Sequence, residues 1–213
     1  MKITHFGHAC LLVEIAGTRV LIDPGTLAKG FSEVRSLDAI LISHEHFDHF
    51  DRARVSALMD SNPDATLVLD RAIAREVPES IEPTRIKLVS SGYKFDVRGV
   101  ALETVGGEHA TIHPDIPNTS NIGFYFTEPG LLYPGDEFLT PALDARILAL
   151  PVSGPWQSLA DAVNYLRLIE PPVAFAIHEA ALTEPEVWYG LIDSLKPAST
   201  EFKVLKPRKP TEF

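Results

Sequence analysis

Apolar residues along this chain come mostly in short runs cut off by Gly, Pro and Asp turns, a pattern of strands more than of helices. Ala9 to Ile15 and Arg19 to Ile22 read as two strands joined at Gly17-Thr18, and Asp23-Pro24-Gly25 stops the second sharply. Thr26 to Leu37 mixes Gly, Ser and charge and reads as a loop; Ala39-Ile40-Leu41-Ile42 is the continuous run of a buried strand. Phe50 to Met59 changes period, with Val55, Leu58 and Met59 on one helical side. Ala65 to Leu69 is again a strand, followed by a short helix over Arg71 to Glu76.

The second half repeats the style. Ile86 to Val89, Lys94 to Val97 and Val100 to Val105 read as strands, and Ile122 to Phe126 with Leu131 to Tyr133 as a hairpin around Glu128-Pro129-Gly130. Ile147 to Leu150 is a buried strand, and Leu159 to Ile169 an amphipathic helix stopped by Pro171-Pro172. Val173 to Ile177 is a strand running into His178, Pro185 to Leu195 a helix, and Glu201 to Leu205 a last strand. Two strand-rich halves emerge, with no low-complexity linker between them.

Composition narrows the classes. At 213 residues the chain can bury one full core, so residues 1–205 read as a single domain and 206–213, which contain Lys206-Pro207-Arg208-Lys209-Pro210, as a basic solvated tail. One cysteine, Cys10, makes no intramolecular disulfide, which points to a reducing compartment and a cytoplasmic location. With 29 acidic residues against 19 basic ones the formal charge is −10, so no nucleic-acid partner is expected. No stretch reaches the ~20 apolar residues of a membrane span, and the N-terminus lacks the apolar core of a signal peptide. No heptad repeat speaks to oligomeric state.

The eight histidines carry the chemistry. His44, His46, Asp48 and His49 fall within six residues, directly past a buried strand. On a helix, residues two apart point to nearly opposite sides; in an extended segment His44 and His46 share a face, and a following turn can bring Asp48 and His49 round. Imidazole and carboxylate donors suit Zn2+ or a similar first-row ion. His109, Asp136 and His178 each follow an apolar run, where a cap or a surface role is the plain alternative. With the first cluster they make five His and two Asp, enough for two ions and a water between them. The helical zinc-protease spacing is excluded, because Asp48 and Leu182 stand where it needs a second His.

These residues resemble the metallo-β-lactamase-fold hydrolase superfamily, and within it the compact branch that includes ascorbate-phosphate lactonase-like enzymes. The matching positions are Phe6-Gly7-His8-Ala9, Leu21-Ile22-Asp23-Pro24, Ser43-His44-Glu45-His46-Phe47-Asp48-His49, His109, Gly135-Asp136 and His178. The resemblance implies an α+β fold, a four-layer αββα sandwich with the metals in a cleft at one edge of two sheets. It implies that His44, His46 and His109 hold one ion, that Asp48, His49 and His178 hold a second, and that Asp136 bridges them. His113 competes with His109 for its position, or else faces substrate from the loop Thr111 to Ser120.

The expected activity is a dinuclear metal-dependent hydrolase that uses a metal-bridging hydroxide on a small ester, lactone, amide or phosphodiester, with Asp48 orienting the attacking oxygen. The cofactors would be two divalent ions, Zn2+ first, with Mn2+ or Fe2+ as alternatives, and the partner a small-molecule substrate. A mononuclear iron sulfur-oxidising enzyme and a non-catalytic metal-binding protein are the competing readings. Asp23 reads either as a hydrogen-bond partner of a ligating histidine or as an Asp-Pro-Gly turn. His8 reads as a hydrogen-bonded structural residue or a substrate contact, His5 as structural or exposed. Trp156 reads as a packing residue or a stacking surface for substrate in a pocket wall formed by Pro151 to Trp156.

Overall fold

The computed structural model describes residues 1–140 and 142–213. Strands β1 (Lys2–His5), β2 (Leu11–Ile15), β3 (Thr18–Ile22), β4 (Ala39–Ile42), β5 (Thr66–Asp70) and β6 (Ile86–Val89) build one sheet. Strands β7 (Lys94–Val97), β8 (Val100–Gly106), β9 (Ile122–Phe126), β10 (Leu131–Tyr133), β11 (Ile147–Pro151), β12 (Val173–Ile177) and β13 (Glu201–Lys203) build the other. The C-terminal β14 (Pro210–Glu212) returns to the first sheet, beside β1.

The two sheets pair their strands in the same sequence of directions. In the first, β14, β1, β2 and β3 run antiparallel in turn, and β3 to β6 are parallel. In the second, β7 to β10 are antiparallel in turn, and β10 to β13 are parallel. The central strands β4, β9, β11 and β12 carry almost uninterrupted apolar sequence because both of their faces are covered. Ile3, Val13, Leu41, Phe124, Tyr133 and Phe175 fill the layer between the sheets. Helix α1 (Arg52–Ser61) sets Val55, Leu58 and Met59 on the outer face of the first sheet. Helices α2 (Leu159–Ile169) and α3 (Pro185–Leu195) cover the second with Val163, Leu166 and Ile192. The result is the four-layer αββα sandwich, an α+β fold.

Most element boundaries follow local chemistry. Asp51 accepts a hydrogen bond from the Arg54 backbone N–H and so starts α1 two residues later than the apolar period suggests. The capping box between Ser158 and Asp161 fixes the start of α2. Ala9 and Cys10 lie outside β2, because the chain turns there: Cys10 N–H donates to the Gly7 carbonyl at 3.1 Å and Phe6 N–H to the Cys10 carbonyl at 2.8 Å. The segment Arg71–Glu76 is a 3-10 helix, and a 3-10 turn at Phe31–Glu33 interrupts the loop before β4. Among the described residues, no helix is long and apolar enough to cross a membrane.

The solvated-tail reading of residues 206–213 needs correction. Strand β1 would otherwise expose an unpaired edge, and Pro210–Glu212 pairs with it antiparallel. Pro210 opens this outer strand, a position where a missing N–H breaks no ladder. Phe213 then packs 5.4 Å from the Phe175 ring, with the Lys203 ammonium 4.8 Å from its centroid. We expect Phe213→Ala to lower unfolding free energy by about 1–2 kcal/mol, as partial loss of a buried aromatic does; urea denaturation measures it, and an unchanged midpoint would show the tail to be dispensable.

Candidate metal centre

The candidate donors come together because one edge of the sandwich collects the C-terminal ends of strands that run the same way. His8 follows β1, Asp23 follows β3, the segment from His44 to His49 follows β4, His109 follows β8, Asp136 follows β10 and His178 follows β12. Two backbone bonds join the sheets at this edge: Ile122 N–H to the Ser43 carbonyl at 3.0 Å and His178 N–H to the His8 carbonyl at 2.8 Å. Close packing there demands small residues. A Cβ on Gly25 would lie 1.7 Å from the Asp48 carbonyl oxygen, and one on Gly135 would lie 2.2 Å from Asn121 Oδ1. Three non-glycine residues of the site, His8 (φ 54°), Asp23 (φ 45°) and His178 (φ 66°), hold left-handed backbone, the kind of strain that functional sites retain.

His44, His46 and His109 present ligand atoms mutually within 4.8 Å, and His8, Asp48, His49 and His178 form a second such group. Asp136 stands between the groups. Its Oδ1 is 3.2 Å from His49 Nε2, and its Oδ2 is 3.5 Å from His109 Nε2 and 3.0 Å from His178 Nε2. The Nε2 atoms of His44, His49, His109 and His178 are buried without a hydrogen-bond partner, as is Asp136 Oδ1. Buried polar atoms are seldom left unpaired, since each loses its water without replacement. Four such imidazole nitrogens and a carboxylate oxygen aimed into one region fit divalent first-row ions.

The supporting bonds set which nitrogen each ring presents. Asp23 is wholly buried and accepts from Ser43 N–H at 2.7 Å, His49 Nδ1 at 2.7 Å, Tyr133 Oη at 2.6 Å and the Ser43 hydroxyl. With its proton committed to Asp23, the Ser43 hydroxyl accepts from His44 Nδ1 at 2.9 Å. One carboxylate therefore fixes the tautomers of His44 and His49 together and leaves both Nε2 atoms free to ligate. Asp23 also lies within ligand distance of these two rings, but four donors saturate it, so it is a support and not a donor to metal. His109 Nδ1 donates to the Ala110 carbonyl at 2.6 Å, which turns its Nε2 inward in the same way.

Charge is distributed to suit a cation. Burial holds His44 well below the usual imidazole range, and the nearby His49 adds to it; burial likewise lowers His46 and His8. For Asp136, burial works toward protonation, but the adjoining His49 and His178 outweigh it and keep the acid well below the carboxylate range. Asp48 behaves alike: burial works toward protonation, and the His8 hydrogen bond together with the nearby His49, His8 and His178 rings outweighs it. His49 moves the opposite way: burial opposes its charge, yet Asp136 and Asp23 raise it well above normal. The neutral His44, His46 and His8 and the ionised acids are the states a metal site requires, whereas at His49 an arriving ion would have to displace the proton that Asp136 and Asp23 favour.

The remaining candidates fall on both sides of the cleft wall. His8 is buried, its Nε2 2.9 Å from Asp48 Oδ2 and its ring centroid 3.9 Å from that of His178. Trp156 donates its indole N–H to Asp136 Oδ2 at 3.0 Å and packs against Phe138. His5 is buried and bonded to the His8 carbonyl at 2.9 Å. His113 is not brought to the site: its side chain is 60% exposed, and its Nδ1 accepts from Asp115 N–H within the loop. Its neighbour Ile112 lines the cleft instead.

Other contributors carried no distinctive sequence signal. Glu179 Oε1 accepts from His8 N–H at 2.9 Å. Asn121 Oδ1 accepts from Asp136 N–H at 3.0 Å, while its amide donates to the Pro134 carbonyl. Glu45 takes the Thr119 hydroxyl on one oxygen and Arg75 on the other, each at 2.8 Å, and so ties the donor segment to two loops. These are common polar residues, and only their position one to three residues from a strand end hinted at a role.

Comparison with known proteins identifies the family and the fold. Residues 2–178 match the family model described as the beta-lactamase superfamily domain. Protein Rv0786c of Mycobacterium tuberculosis is 37% identical over 219 residues that cover 100% of both chains. A protein of Aeropyrum pernix named UPF0173 metal-dependent hydrolase is 26% identical, covering 100% of this chain and 97% of its own. Among solved structures, Igni18, a metallo hydrolase from Ignicoccus hospitalis, superposes with a TM-score of 0.76 at 18% identity, over 100% of this chain and 98% of that one. The chain belongs to the beta-lactamase superfamily domain family, within the metallo-β-lactamase-fold superfamily of metal-dependent hydrolases.

Proposed function

We propose that this protein is a dinuclear Zn2+-dependent hydrolase of a small ester, lactone, amide or phosphodiester. The observation that carries the reading is the convergence of unpaired, buried imidazole nitrogens from three strand ends around the Asp136 carboxylate. His44, His46 and His109 would hold one ion, Asp48, His49 and His178 the other, with Asp136 shared. Bound there, the ions would supply the Lewis-acid charge that acidifies an attacking water and polarises the scissile group.

The chain's own residues supply orientation and proton handling. Asp48 is held ionised at the cleft by His8, with its side chain 17% exposed, so its carboxylate can accept a hydrogen bond from the attacking water and aim the oxygen. Trp156 fixes the rotamer of Asp136 through its indole N–H and covers one side of the donors, limiting entry of bulk water. Asp23 keeps the adjacent rings of His44 and His49 in the ligating tautomer.

Metal analysis of protein purified without added metal should give about two equivalents of Zn2+ per chain. Iron with redox activity, or no stoichiometric metal, would overturn the proposal. His46→Ala and Asp48→Ala should each lower kcat/KM on the order of a thousandfold with the far-UV circular dichroism spectrum retained; near wild-type turnover in both would remove Asp48 from the mechanism. Asp23→Asn should weaken metal affinity roughly ten- to a hundredfold in chelator competition, and Tyr133→Phe, which keeps the carboxylate and loses one donor, should weaken it less. Equal affinity in all three proteins would show that the hydrogen-bonded support is idle.

A further inference from the structure

Around its donors the cleft is walled by carbon. Leu27, Phe47, Ile112, Pro155, Trp156 and Ala181 form its apolar lining, and the other lining side chains are the histidines and carboxylates already described. Phe47 is the strongest departure from ordinary surface chemistry. It lies inside the donor segment, its backbone carbonyl is tied to Thr26 N–H at 2.9 Å, and its ring is nonetheless 65% exposed. Leu27, 38% exposed, shares the mouth with it. A single exposed apolar residue needs no explanation, but a concave set of them around a polar centre, enclosing about 350 Å³, has the build of a small-ligand pocket.

The polar inventory is equally informative. Among the described residues lining the cleft there is no Lys or Arg, and no hydroxyl or amide side chain. The indole N–H of Trp156 is already committed to Asp136. Lys29 and Arg208 line a neighbouring hollow that has only His8 and Leu27 in common with the cleft, and Glu179 lies among them to offset their charge. An anionic substituent remote from the donors would approach a protein of net charge −10 and meet no Lys or Arg in the cleft wall to replace its water.

We infer, resting on the hydrolase reading above, that the cleft takes small uncharged esters and lactones with apolar acyl or alkoxy groups, and discriminates against substrates with a remote carboxylate or phosphate. In the reaction one water adds across the acyl C–O bond. Its oxygen joins the acyl carbon, the alcohol oxygen leaves with a proton, and the acid formed releases a proton to solvent. Phe47 and Leu27 set the preference by covering the part of the substrate that does not react. This separates the chain from a phosphorylated-lactone specificity, which would need a cationic subsite.

The test uses the full-length, Zn2+-loaded protein and a pair of anilides of matched chain length, each checked by chromatography to be intact after the titration. In calorimetry, butyranilide should bind roughly tenfold or more tightly than succinanilate, which ends in a carboxylate. Equal or tighter binding of succinanilate, or no binding of butyranilide at millimolar concentration, overturns the inference. Phe47→Lys, with its metal content verified, should narrow or invert the ratio, and an unchanged ratio would remove Phe47 from specificity. In turnover, 4-nitrophenyl butyrate should be preferred to 4-nitrophenyl hemisuccinate, whose leaving group is the same and whose acyl chain ends in a carboxylate; the reverse order overturns the inference. Should butyranilide outbind succinanilate while neither nitrophenyl substrate is cleaved, the selectivity of the cleft stands and the hydrolase reading falls.

Discussion

The site rests on a buried carboxylate that no ligand needs to touch. Asp23 ends β3 in a left-handed conformation and takes four hydrogen bonds, which reach the donor segment through Ser43 and His49 and the opposite sheet through Tyr133. A buried charge is tolerated only when its oxygens are satisfied, so this network either forms as a whole or leaves a costly orphan. Because it forms, the rings of His44 and His49 have no rotational or tautomeric choice. The rigidity of these rings thus derives from the outer ring of bonds, and their Nε2 atoms remain unpaired.

The surrounding fold makes that arrangement inexpensive in chain length. Each donor lies within a few residues past a strand end, and the like-directed strands of both sheets finish at the same edge. The chain is therefore delivered to the cleft from several directions by rigid elements, and short loops suffice to complete it. The longer connections also supply walls: Leu27 comes from the segment between β3 and β4, and Ile112 from the same connection as His109.

Much of this could be read from the sequence, for identifiable reasons. Runs such as Ala39-Ile40-Leu41-Ile42 and Val173 to Ile177 are buried on both faces, so hydrophobicity alone marked them, and the spacing of His44, His46, Asp48 and His49 is rare enough to stand out. β1 and β14 were hidden because an edge pair is short and partly polar; Pro210 and the adjacent charges resemble a loose terminus until a partner strand is known. His113 was attractive by residue type, but its loop turns it outward and turns Ile112 inward, a choice made by backbone geometry. Ser43, Tyr133, Asn121 and Glu179 gain their roles from neighbours distant in sequence, which no local pattern encodes.

The matched order of strand directions in the two sheets has a thermodynamic consequence. Each donor group draws on both halves: His109 of the second sheet completes the group of His44 and His46, and His178 completes that of His8, Asp48 and His49. Neither half carries a full set by itself. An ion held here would clasp the two sheets across their seam, so its release would be linked to separation of the layers and not to fraying of one loop. Occupancy of the centre and cohesion of the sandwich would then rise and fall together, and metal starvation would act on the lifetime of the folded molecule as well as on its chemistry.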